Sequence, residues 1–267
     1  MIRKSIYLFL LIVAVYFGFA YLVAIGSLGS YEGPGEITTI PLPEEETIKR
    51  TERQLKDKNK IGIQDKKIIL FGDLHVHTTY SSDAFLTSLP LMAGEGTHPP
   101  ADACDFARYC SSLDFWSNTD HAEDLTPEDW QEIKESVRQC NNVSGNGQQD
   151  TIAFLGWEWT QEGGFGQPHY GHKNIILKDL DEDKIPARPI ASPQVGFANM
   201  PFSARFALSS LKAFDGRVQD LMTYARDGET IPCPSGVDVQ KLPSDCKAVS
   251  YTHLRAHETK ANLVCRL

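Results

Sequence analysis

No two of the six cysteines stand in a C-x-x-C pair, which excludes zinc ribbons and thioredoxin-like redox sites on spacing alone. A G-x-S-x-G elbow and a P-loop lysine are also missing, so neither a serine nucleophile of the hydrolase kind nor nucleotide-driven chemistry has a motif behind it. Positive charge is scarce: 26 Lys and Arg stand against 35 Asp and Glu, a formal net charge of −9. Such a field repels polyanions, so no nucleic-acid partner is expected. A compact phosphorylated substrate stays open, because a local metal cluster outweighs a diffuse field at close range. What is present is globular in composition, with 41% hydrophobic residues, 23% charged residues, 4 Trp, 9 Tyr and 13 Phe. At 267 residues the chain has room for one large domain or two small ones.

Charge is absent altogether from Ser5 to Tyr31, while Arg3 and Lys4 precede this run and Glu32 and Glu36 follow it. A helix over Ile6 to Ile25 would cross the roughly 30 Å hydrocarbon layer, with the basic end cytoplasmic and the body on the far side, in the periplasm. The alternative is a signal peptide cleaved near Ala24-Ile25-Gly26, releasing a secreted body, although the apolar core is longer than the usual 7 to 15 residues or so. Residues 1–31 are therefore expected to form a membrane anchor or signal segment. Residues 32–65 mix Pro34, Pro41 and Pro43 with Glu44, Glu45 and Glu46 and then many Lys and Arg, which predicts a charged linker. Glu-to-Lys spacing gives part of Glu45 to Lys60 some helical character, but no chemistry. In an exported body, Cys104, Cys110, Cys140, Cys233 and Cys246 can supply one or two disulfides of undetermined connectivity.

From Lys66 onward, strand and helix patterns alternate. Lys66 to Phe71 is an apolar strand stopped by Gly72, and Asp73-Leu74-His75-Val76-His77 follows directly. Ala101 to Ser112 carries Ala103, Phe106, Ala107 and Cys110 at helical spacing. A second strand, Leu113 to Ser117, runs into Asn118-Thr119-Asp120-His121. Thr126, Pro127, Glu128 and Asp129 then supply a cap, a first-turn proline and first-turn acids for a helix reaching about Cys140. A third strand, Thr151 to Leu155, leads to Gly156-Trp157-Glu158-Trp159, and a fourth, His172 to Leu177, follows His169-Tyr170-Gly171. Such alternation implies a parallel sheet or barrel whose strand ends gather the active residues. Imidazoles and carboxylates at three of those ends suit Zn, Mn or Fe. Trp157 and Trp159 flank Glu158 and fit either a pocket wall or the core.

Gly72 to Asp83, Asn118 to His121 and Gly156 to Trp159 resemble the first three motifs of the PHP (polymerase and histidinol phosphatase) superfamily, and the His172 strand resembles its next ligand motif. His98 to Cys110, Thr119 to Glu123, Gly156 to Gln161 and His169 to Asn174 are more closely similar to the PHP-related family of unknown function numbered 3604. The resemblance implies an α/β protein with a distorted (β/α)7 barrel over residues 66–248 and a centre of two or three divalent transition metals. Carried over residue by residue, His75 and His77 would ligate one metal, Asp83 and His121 another, and Glu158 would bridge, with His172 as a further ligand. Asp120 is expected to ligate a metal, to orient His121 or to move a proton, and His169 to support a ligand, contact substrate or act as an acid. The late ligands of the family, a further His and a terminal Asp-x-His, have no counterpart in recognisable context. Residues 249–267 instead resemble a string recurrent in unrelated metagenome-derived chains, translated from sequencing-adapter DNA. The barrel is accordingly expected to be incomplete and its tail non-native. His253 and His257 form an i, i+4 pair within that tail and are assigned no ligand role.

The function these motifs imply is metal-dependent hydrolysis, in particular of a phosphoester, by a metal-activated hydroxide acting on a small phosphorylated or otherwise hydrolysable substrate. A membrane-tethered module that binds metal or ligand without turnover is the alternative from a different class, and an inactive fragment is a third. The oligomeric state has no sequence signal.

Overall fold

The computed structural model describes residues 2–64, 67–88, 97–145, 147–161, 171–189 and 201–227. Residues 249–267 and His169 lie outside these. In chain order the elements are α1 (Ile2–Ala24), α2 (Glu44–Lys60), β1 (Gly72–Val76), α3 (Ser82–Thr87), α4 (Pro100–Asp105), β2 (Phe115–Asn118), α5 (Pro127–Asn142), β3 (Ser144–Gly145), β4 (Gln148–Gln149), β5 (Ile152–Gln161), β6 (Gly171–Leu177), α6 (Phe202–Lys212) and α7 (Gly216–Asp227). α4 runs on into a π-helical turn, Phe106–Cys110.

The main sheet has the order β1-β2-β5-β6. β1 with β2 and β2 with β5 are parallel, whereas β5 and β6 are antiparallel, so the sheet is mixed and corrects the all-parallel expectation. The connection from Gln161 to Gly171 explains this, since it is shorter than the dozen or so residues a parallel crossover needs. The sheet also curls. Its two edge strands approach each other closely enough for Asn174 Nδ2 to donate to the Leu74 carbonyl at 2.9 Å, giving a half-barrel of four strands among the described residues.

Two strands differ from their sequence boundaries. β1 starts at Gly72, where the apolar run Lys66 to Phe71 was expected to pair. Asp114 takes the Phe71 N–H at 2.8 Å on its carboxylate, and the ladder begins only beyond that contact, leaving Ile68 and Phe71 exposed. β5 continues past Leu155 to Gln161 because β6 pairs with the extension from Leu155 to Gln161. Gly156 permits this close pairing: a Cβ there would lie 2.5 Å from the Ile175 carbonyl oxygen.

The helices follow their sequence signals more closely. Thr126 caps α5 through a reciprocal box, its hydroxyl accepting from Asp129 N at 3.1 Å and the Asp129 carboxylate accepting from Thr126 N at 2.9 Å. Trp130, Ile133, Val137 and Cys140 then share one buried face against β5. The Trp130 and Trp157 rings meet edge to face at 5.9 Å, and Trp157 and Trp159 both belong to this core. Cys104 and Cys140 form a disulfide that ties α4 to α5, and Cys110 is free and exposed. Closing a loop of sequence separation 36 is worth about 3–4 kcal/mol on the chain-entropy account. The Cys104→Ala/Cys140→Ala double variant should therefore unfold at a correspondingly lower denaturant concentration, and wild-type protein should fall to the same midpoint in reductant.

The segment expected as a charged linker is anchored to the body. Arg108, fully buried, donates to the Thr38 and Ile40 carbonyls at 2.6 Å each, to Asp105 at 2.8 Å and to Asp150 at 2.8 Å. Asp150 in turn accepts from Leu42 N at 2.8 Å. α2 itself buries no residue, as its charge predicts. At the N-terminus, α1 is long and apolar enough for a membrane anchor or a signal sequence, and Ala20, Val23 and Ala24 at its end are buried against Val218, Leu221 and Met222 of α7.

Candidate metal centre

Glu158 is the hub of the site. Its side chain is only 3% exposed, and its two oxygens face three imidazoles. Oε2 lies 2.9 Å from Nε2 of both His75 and His77, and Oε1 lies 2.5 Å from Nδ1 of His172. A carboxylate in mid-strand would ordinarily be costly to bury; here parallel bridging with His121 and antiparallel pairing with β6 surround it with nitrogen atoms. His121 stands on the far side, with Nε2 3.1 Å from Asp83 Oδ2.

The side chains are held from behind by hydroxyls. Ser81 Oγ, completely buried, sits 2.7 Å from His77 Nδ1 and also accepts from the His121 main-chain N–H at 2.9 Å. Thr160 Oγ1 lies 2.9 Å from His121 Nδ1 and 3.1 Å from His172 Nδ1. For His77 and His121 these contacts fix ring orientation and leave the opposite nitrogen facing a carboxylate, whereas His172 presents the same Nδ1 to both Thr160 and Glu158.

Asp120 is not part of the cluster. One of its carboxylate oxygens accepts from Thr78 N at 2.6 Å, and the other from Thr78 Oγ1 at 2.7 Å and Asn118 Nδ2 at 2.8 Å. Both oxygens are therefore spent on holding the turn after His77, and they make no hydrogen bond to His121.

The electrostatics follow from this packing. Burial pushes the Glu158 carboxyl up, yet the bonds from His77 and His75 and the charge of His121 outweigh it and hold the group down at about 2. Asp83 is likewise raised by burial but carried down to about 2 by His121. Burial opposes the charge on His121, whereas Asp83, Glu123 and Glu158 raise it to about 9. Glu123, pushed up to about 7 chiefly by burial, lies 3.6 Å from His121 Nδ1.

Three groups each bring their ligand atoms within 4.8 Å of one another: His75, His77 and Glu158; His77, Asp83 and His121; and His121, Glu158 and His172. They interlock through His77, His121 and Glu158, so each could hold a metal ion beside the next. The donor set of imidazole nitrogen and carboxylate oxygen fits a borderline or hard divalent ion. All six residues proposed as ligands from sequence thus converge, whereas Asp120 supports them from behind and His169 lies outside the described residues.

Ser81, Thr160 and Glu123 were not assigned to the site by sequence. Thr160 had a usable signal, because it shares a strand face with Glu158 two residues earlier once β5 is extended past Leu155. Beside the cluster opens a cavity of about 740 Å³, reached past Asp73, His75 and His77 and walled by Phe106, Tyr109 and Trp116. No family model, curated protein or solved structure matches the chain.

Proposed function

We propose that the protein is a metal-dependent hydrolase, acting on a phosphoester, with two or three Zn, Mn or Fe ions held by His75, His77, Asp83, His121, Glu158 and His172. The observation that carries this reading is the interlocking of three ligand groups through the shared residues His77, His121 and the buried Glu158. Single structural zinc sites are closed and separate, whereas shared ligands suit adjacent ions that act on one substrate. Bound ions would supply Lewis acidity and an activated water. The residues of the chain do the rest. Ser81 and Thr160 fix the imidazoles, Asp120 holds the turn that presents His77, and the adjoining cavity takes a small substrate whose non-phosphoryl part meets Phe106 and Tyr109. The curled half-barrel and its ligands at and beyond β1 and β2 are also what a PHP-type barrel would supply at one rim.

On location, we favour a retained anchor with the body in the periplasm. Ala20, Val23 and Ala24 are built into a core with α7, and cleavage after Gly26 would strip that core. A Cβ on Gly29 would lie 2.1 Å from the Gln219 carbonyl oxygen, so the stretch just past α1 is packed as closely as the helix end.

The test is elemental mass spectrometry on the full chain in detergent, beside assays with p-nitrophenyl phosphate and bis-p-nitrophenyl phosphate. At least two tightly held transition-metal ions per chain are expected, with hydrolysis that a chelator abolishes and added metal restores. Metal without turnover of either ester would replace the phosphoesterase with a binding module. A folded, metal-free protein that takes up no added metal would overturn the centre itself.

A further inference from the structure

Besides the exposed first two thirds of α1, an apolar surface is shared by the end of α1 and the α6–α7 hairpin. α6 runs antiparallel along α1: Phe202 meets Tyr21 with ring centroids 5.6 Å apart, Phe206 meets Phe17 at 6.2 Å, and Phe214, just past α6, stacks on Phe19 at 4.9 Å. Tyr16 OH donates to the Ser210 carbonyl at 2.6 Å. This packing leaves much apolar surface in solvent, since Phe202 is 42%, Leu211 74% and Phe214 75% exposed.

The geometry of α1 gives that surface a partner. If α1 is a retained span, as proposed above, it must cross a hydrocarbon layer of about 30 Å. Only Ser5 to Val15 lies clear of α6, a rise of about 16 Å at the α-helical spacing. The remaining half of the layer coincides with Tyr16 to Ala24, where α6 lies alongside. Seven aromatic rings, Tyr16, Phe17, Phe19, Tyr21, Phe202, Phe206 and Phe214, gather at that level, as aromatic residues do near the membrane boundary. Two charged residues stand at the tip, Lys212 and Asp215; they pair at 3.9 Å, which cancels their charge, and the long lysine stem can carry its ammonium toward the headgroups.

We infer that the tip of the α6–α7 hairpin, Leu211 to Phe214, inserts into the acyl chains of the body-side leaflet beside α1, so that the body is seated in the bilayer surface. The partner is lipid, and the inserted surface is one that α1 alone does not supply. The inference rests on the anchor reading, and the two fail differently.

The test uses the full chain reconstituted in phosphatidylcholine vesicles whose acyl chains carry bromine, a contact quencher of tryptophan. Phe214→Trp probes the tip, Leu10→Trp the middle of α1, and Phe106→Trp the body surface at a ring that is 62% exposed. The four native tryptophans lie in the body core and are subtracted with wild-type protein. Phe214→Trp should lose emission to the brominated chains as Leu10→Trp does, while Phe106→Trp keeps it. Quenching of Leu10→Trp without quenching of Phe214→Trp overturns the insertion and leaves the anchor standing. If Leu10→Trp is not quenched either, α1 does not span and both readings fall.

Discussion

Glu158→Ala should weaken zinc binding by at least about a hundredfold, the upper end of what losing a supporting contact to a ligand costs, because the change removes the proposed bridging ligand itself. The carboxylate faces His75, His77 and His172 at once and takes part in two of the three ligand groups. Its removal leaves the imidazoles without the anion that draws them together. The strand should survive, because the bonds that fix it here are main-chain ones: Glu158 N donates to the Asp120 carbonyl and Ala122 N to the Glu158 carbonyl, both at 3.0 Å. Competition with a chromophoric chelator gives the affinity, and circular dichroism verifies the fold. Glu128→Ala, in the first turn of α5, is the matched control and should bind as wild type does. Equal zinc affinity in Glu158→Ala and wild-type protein would remove Glu158 from the centre.

The second large effect concerns stability. Arg108→Ala should cost about 3–5 kcal/mol, the usual penalty for leaving one partner of a buried ion pair uncompensated. Neither Arg108 nor Asp150 exposes any of its side chain, and the guanidinium also satisfies the Thr38 and Ile40 carbonyls. Without it, the Asp150 carboxylate keeps the Leu42 N–H but loses the buried cation that balances its charge, and the 38–42 segment loses its grip on the body. For a chain of this size the melting temperature should fall by roughly 10 °C. Limited proteolysis should cut near Ile40 in the variant before it cuts wild-type protein. Lys49→Ala offers the contrast: its partners Glu45 and Glu46 are 78% and 50% exposed, and solvent screens exposed pairs of this kind, so the unfolding midpoint should stay close to that of wild-type protein. A loss under about 1 kcal/mol for Arg108→Ala would mean that the pair is no better than a surface one.

What sequence could reveal divides by the range of the interaction. The start of α5 was legible because its cap, proline and acids lie within four residues, and Thr126 makes the bonds its position demands. Asp83 came from the family resemblance alone and His172 from its place at the head of a strand, whereas His75, His77, His121 and Glu158 were legible because each stands just beyond an apolar run. The length of β5 was not, since its second half is a strand only through pairing with β6. The direction of β6 could have been read from the short connection before it. The anchoring of residues 38–42 had no local sign: Arg108 reads as one more charge on a helix until Asp150, far along the chain, comes to meet it. Disulfide pairing is equally nonlocal, and Cys104 finds Cys140 only because α4 packs on α5.

The hold that Arg108 keeps on residues 38–42 would also govern how the proposed site meets a substrate. A free chain of some thirty residues would let the body drift over a radius of roughly 30 Å, sampling a volume. If α1 is a retained span, as proposed, then with that chain clamped and α1 packed against α7 the cavity beside His75 and His77 would stay at one height and one tilt above the leaflet. Encounter would then become a lateral problem, in which a protein anchored in that way sweeps a plane and meets whatever diffuses within that thin layer.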